Sequence, residues 1–143
     1  MSDAAETARR CAETMYGRDH ATRHLGIEIT DAGPGRARAV MTVTRAMVNG
    51  FGLAHGGYLF LLADTAFAYA CNSRDSVTVA AAADVVFVAP AHEGDVLEAV
   101  AAERVRMRRG GVYDVTVRRV ADGAVIAEFR GTGRSRDERV LPG

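Results

Sequence analysis

Residues 55–73 read HGGYLFLLADTAFAYACNS, and the way this stretch folds decides everything around it. From Gly57 to Cys71 the residues Leu, Phe and Ala fall on all sides of a helical projection. That is the pattern of a helix surrounded by protein, not of one resting on a surface. At about 15 residues and 1.5 Å of rise it is roughly 22 Å long, too short to span a bilayer. A single helix that is apolar all round needs more cover than a flat sheet provides. The simplest cover is an antiparallel sheet curled round it, which makes the fold class α+β.

The flanking sequence supplies the strands. After Asn72-Ser73-Arg74-Asp75 the chain is strand-like over residues 77–88, 96–107, 112–120 and 125–132, with breaks at 90–94, Gly110-Gly111 and Ala121-Asp122-Gly123. Tyr113, Val115 and Val117 share one face and Asp114, Thr116 and Arg118 the other, as a sheet with one buried side requires. Upstream, residues 25–30 and 36–44 alternate about Gly33-Pro34-Gly35 and predict a hairpin, followed by a loop over 45–54 that holds Asn49-Gly50-Phe51-Gly52. Ala5, Ala8, Ala12 and Met15 recur at helical spacing after Ser2-Asp3 and predict a short amphipathic helix.

The 143 residues suit one domain spanning 1–143. With 48% hydrophobic and 25% charged residues the chain is globular. Its 18 basic and 18 acidic residues cancel, which removes the electrostatic case for a nucleic-acid or membrane-surface partner. All the basic residues are Arg, and the absence of Lys excludes a Schiff-base enzyme, a pyridoxal enzyme and a Walker A site. Cys11 and Cys71 have no metal-ligand spacing and are expected to be reduced core thiols, so no metal site is expected. The first residues mix acids with Arg and lack an apolar targeting core, so a cytoplasmic location is expected.

Asp64 is the anomaly in the central helix. Its i±3 and i±4 neighbours are Phe60, Leu61, Phe67 and Ala68, an environment in which a carboxylate without partners is costly to ionise. One reading is an acid paired with an Arg from elsewhere; the other is a functional group. His55-Gly56-Gly57 opens the helix without Ser, Thr or Asp at the capping position, so first-turn amides are expected to lack a side-chain acceptor and to suit an oxyanion. Gly50-x-Gly52 superficially fits a dinucleotide fingerprint, but the flanking strands read as antiparallel and the third glycine is out of step.

The string MVNGFGLAHGGYLFLLADTAFAYACNS, residues 47–73, resembles the signature of hotdog-fold acyl-CoA thioesterases, in particular those of phenylacetic acid degradation. The similarity continues through ADVVFVAPAHEGDVLEA, GVYDVTV and FRGTGRSR, covering roughly residues 45–135 in family order. The resemblance implies a curved antiparallel sheet of five to six strands wrapped round one long central helix, with subunits paired as a homodimer or a dimer of dimers. It implies that Asp64 is the catalytic carboxylate, acting at a subunit interface as base or nucleophile, and that Gly56 donates its backbone N–H to the thioester oxygen. His55 and Asn49 would order that turn and assist in polarising the carbonyl. Where some relatives carry a Ser or Thr to orient water, this chain has Ala68 and Ala80.

The implied reaction is hydrolysis of an acyl-CoA thioester, with an aromatic acyl group such as phenylacetyl or hydroxyphenylacetyl. CoA is part of the substrate, and no separate cofactor is implied. A hotdog enoyl-CoA hydratase or dehydratase and a non-catalytic acyl-CoA sensor are the alternatives. Arg108, Arg109, Arg130 and Arg134 stand where cations for the CoA phosphates are needed, or alternatively serve as charged guards of a solvated sheet edge. Phe51 and Tyr58 are candidate pocket linings, while Phe67 reads as core.

Overall fold

The computed structural model describes residues 3–143. In chain order the elements are helix α1 (Asp3–Tyr16), helix α2 (His20–His24), strands β1 (Glu28–Gly33) and β2 (Arg36–Thr42), and a 3-10 turn at Arg45–Met47. Then come the central helix α3 (Gly56–Cys71) and strands β3 (Thr78–Phe87), β4 (Val96–Met107), β5 (Gly110–Arg119) and β6 (Val125–Ser135). The amphipathic helix expected at the start is α1, which buries Ala8 and Cys11; Ser2 of its expected start lies outside the described residues.

The strands form one antiparallel sheet in the order β1-β2-β4-β5-β6-β3, and α3 touches all six. At about 4.8 Å between strands the sheet is roughly 24 Å wide, twice the diameter of a helix with its side chains, so it reaches α3 from both edges only by curling. The curved sheet inferred from the helix's composition is therefore present, with six strands.

Alternation places the core. Tyr113, Val115 and Val117 of β5 are buried against α3, and across the ladder they face Ala127, Phe129 and Gly131 of β6. Phe67 of α3 packs edge-on to Tyr113 with 5.7 Å between ring centroids and lies 5.7 Å from Phe129. A Cβ on Gly131 would stand 2.8 Å from the Phe67 ring, so the absence of a side chain there is what lets α3 lie so close on β6. Burying a side chain such as Phe67 contributes about 2–3 kcal/mol. Both cysteines are buried and free, as expected.

Two local expectations are corrected. Residues 25–27 are not strand: α2 precedes β1, capped by Asp19, whose carboxylate accepts from Thr22 N–H at 3.1 Å and from Tyr69 Oη–H at 3.0 Å. The β4–β5 hairpin turns at Arg108-Arg109, with Met107 paired to Gly110, so Gly110-Gly111 begins β5 instead of forming the turn. No helix among the described residues is long and apolar enough to cross a membrane.

Candidate active site

The sheet leaves one stripe of α3 uncovered. Gly57, Leu61, Asp64 and Ala68, spaced four, three and four residues apart, are only partly buried or exposed, while Leu62, Ala63, Ala66 and Phe67 around them are fully buried. Asp64 thus points out of the curl instead of into it. Among the described residues its carboxylate has no hydrogen bond and no ion pair, and no unpartnered side-chain nitrogen or oxygen is sealed from solvent, so its oxygens reach water. Burial pushes the Asp64 carboxyl above the usual carboxylate range. The Arg pairing considered for Asp64 is absent. Cys71, two turns on, is pushed up to about 12 by burial and secondarily by the Asp64 charge, so it is a protonated thiol at neutral pH and no nucleophile.

The turn before α3 is built by side chains that satisfy its backbone. Asn49 Oδ1 accepts from Phe51 N–H at 2.9 Å and from Leu53 N–H at 3.1 Å, closing the loop on itself, while His55 N–H donates to Met47 O at 2.8 Å. The expectation of an uncapped helix is corrected: His55 is the cap, its Nδ1 accepting from Gly57 N–H at 2.9 Å. With Nδ1 so engaged the neutral ring carries its proton on Nε2. The cap takes Gly57 and leaves Gly56, whose N–H donates to no described residue, at the positive end of α3.

Asn49→Ala removes the one oxygen that accepts both hydrogen bonds and is expected to cost about 1–3 kcal/mol. Asn49→Asp keeps both and should cost less. Thermal melts of the two variants check this; equal losses would mean the loop does not depend on those bonds.

The remaining expected residues fall in two places. Tyr58 packs edge-on to His55 with centroids 6.4 Å apart, and Phe51 projects from the loop, 88% exposed. Arg108, Arg109 and Arg134 gather at the opposite end of the sheet, where Gly110 pairs with Arg134 and Ser135 N–H donates to Arg109 O at 3.2 Å. Arg109 also lies 3.7 Å from Asp137. Arg130 sits two rows further in on the outer face, its Nε donating to Asp114 at 2.7 Å, so its charge is already partnered. This end is beside the C-terminus of α3, where Cys71 approaches Gly133, about 22 Å from Gly56 at 1.5 Å per residue. Within one chain Gly56 and Asp64 are themselves eight residues, about 12 Å, apart.

Sequence reasoning missed Phe87. At the end of β3 its ring covers the Cα of Gly56, yet it remains 52% exposed. A lone Phe closing a valine-rich strand carries no sign that it leaves the core. β3 is also an edge of the sheet, paired only with β6 among the described residues, and Val79, Val86 and Phe87 along it are exposed. No group of three or more described His, Cys, Asp or Glu residues is placed to hold a metal ion.

Residues 51–126 match the family described as Thioesterase superfamily. Acyl-coenzyme A thioesterase PaaI of Escherichia coli is 45% identical over 120 residues, 84% of this chain and 85% of that protein. A putative esterase of Deinococcus radiodurans is 43% identical over 115 residues, 80% of this chain and 78% of that protein. The solved structure of the E. coli PaaI protein from the phenylacetic acid degradation operon superposes with a TM-score of 0.93 at 39% identity, covering 96% of this chain and 99% of the other.

Proposed function

The chain belongs to the thioesterase superfamily, with the hotdog fold, and is an acyl-CoA thioesterase; on that ground we propose that it hydrolyses aryl-substituted acyl-CoA thioesters of the phenylacetyl type at a site that two copies build together. The observation that carries the mechanism is Asp64, an unpartnered carboxyl on the one uncovered stripe of an otherwise buried helix. The aromatic preference is supported by the similarity to a protein of a phenylacetic acid degradation operon.

The chemistry needs little else. As a base, ionised Asp64 takes a proton from water while the water oxygen attacks the thioester carbonyl carbon. As a nucleophile, Asp64 attacks that carbon itself to give an anhydride that water then opens. In both routes the developing oxyanion accepts the Gly56 N–H, the C–S bond breaks, and the sulfur leaves as a thiolate that then takes a proton. A thiol of pKa about 8.5, the cysteine value, is a tolerable leaving group without a strong acid. Oxyanion donor and base each need to be about 3 Å from the reacting group, so an amide and a carboxylate about 12 Å apart on one helix serve different substrates. A second copy added antiparallel at the free, apolar edge of β3 reverses its own α3 and brings its Gly56 turn toward this Asp64.

The experiment is thiol release from a panel of aryl and alkyl CoA thioesters together with a native mass. Rapid release from phenylacetyl-CoA by a species of two or four chains is expected. A fully active monomer would remove the shared site. Binding without turnover would favour a sensor, and an absorbance change with an enoyl-CoA in the absence of thiol release would favour a hydratase.

A further inference from the structure

Phe87 sits where no core residue needs to be. A Cβ placed on Gly56 would stand 3.0 Å from Phe87 Cζ and 3.3 Å from Cε1, so the ring lies directly on the glycine. It is on the α3 side of the sheet, because its ladder partner Ala127 pairs in turn with Val117, and both are fully buried beneath the helix. The ladder puts Ala80, Ala83 and Val85 on that same side of β3, so the row ends in its one aromatic ring. The ring is kept half in solvent beside a free backbone N–H, with a face and an edge unspent.

We propose that Phe87 is a specificity-determining residue for the acyl group, its ring being the wall against which the acyl moiety lies when the thioester oxygen accepts the Gly56 N–H. This rests on the reading of Gly56 as the oxyanion donor. The N and Cα atoms of one residue are about 1.46 Å apart. A carbonyl oxygen about 3 Å from the Gly56 nitrogen is therefore held by the atom next to the Cα whose side-chain position the ring closes off. In the proposed docking the carbon substituent of that carbonyl lies against the ring. An aryl group there gains offset or edge-to-face packing that an alkyl chain does not, which amounts to about a tenfold preference. Leaving position 56 without a side chain is what allows ring and amide to occupy the same corner.

The test measures kcat/KM for phenylacetyl-CoA and for hexanoyl-CoA in the wild type and in Phe87→Leu, Phe87→Ala and Phe87→Tyr, with the native mass of each. Phe87→Leu and Phe87→Ala are expected to lower the aryl-to-alkyl ratio about tenfold, with hexanoyl-CoA turnover within a few-fold of wild type and the native mass unchanged. Phe87→Tyr, which keeps the ring, should hold the wild-type ratio. An unchanged ratio in Phe87→Leu, equal loss on both thioesters, or dissociation into monomers with loss of both activities would overturn the assignment. A wild type that releases thiol from neither substrate would instead overturn the thioesterase reading on which it rests.

Discussion

Asp64→Asn is expected to slow thioester cleavage by a factor of about 10² to 10⁴, the usual contribution of a positioned base, without loss of fold. The carboxyl holds no described residue in place, so its replacement breaks no hydrogen bond and no ion pair. Its effect on stability should run the other way. Burial raises the Asp64 pKa in the folded state above the unfolded value, so the group favours folding only while protonated. Below the unfolded pKa both states hold the proton and the ionised form costs nothing. As pH rises through the raised folded pKa the wild type loses that advantage, and the Asn variant does not. At neutral pH the Asp64→Asn variant should therefore melt at or above the wild-type temperature, the gap closing in acid. The acid limb of the wild-type rate profile should lie above the ordinary carboxylate range, because either route needs the ionised form. Thiol release across pH and paired melts check both parts; a variant as active as wild type would remove Asp64 from the chemistry.

Gly110→Ala is expected to cost about 3–5 kcal/mol, enough to lower the melting temperature by on the order of 10–20 °C. Two penalties coincide. Gly110 opens β5 at a φ of 134°, a region that side-chain-bearing residues avoid. A Cβ there would also stand 1.9 Å from Gly133 O and 2.8 Å from Gly133 C, both backbone atoms of the neighbouring strand that no rotamer change can move. Gly123→Ala is the control: its φ is 72° and nothing lies within 4 Å of the added atom, so it should cost only about 1 kcal/mol of backbone strain. Circular dichroism melts separate the two, and a Gly110→Ala variant melting within a degree or two of Gly123→Ala would contradict the observed close pairing of β5 with β6.

The difference between these glycines shows where local pattern stops being informative. Gly110-Gly111 and Gly123 are all turn signals by composition, yet only Gly123 lies in a turn. The β4–β5 turn falls at Arg108-Arg109, because Met107 meets Gly110 in the ladder that sets Ala99 and Ala101 of β4 opposite the buried Val117 and Val115 of β5. His55 is outside the short polar set that usually fills the capping position, yet its Nδ1 accepts from the amide two residues on, as an Asn would. α2 is five residues long, too short for a periodic signal. Arg130 had every property of a free cation until the ladder set it beside Asp114, sixteen positions away.

What the sequence determined by itself is whatever repeats along the chain: a helix apolar on every side, strands that alternate, the α+β class that one enclosed helix demands, and an acid out of place in that helix. The tertiary structure decided which stripe of α3 stays open and therefore that Asp64 looks outward. It decided too that β3 is an edge of the sheet, paired among the described residues on one side only, and that Phe87 crosses thirty residues of chain to lie on Gly56. Periodicity is a property of neighbours in sequence and survives in the letters. Exposure and side-chain meetings depend on how far the sheet curls before its strands run out, a sum over pairings between distant residues that no single stretch encodes.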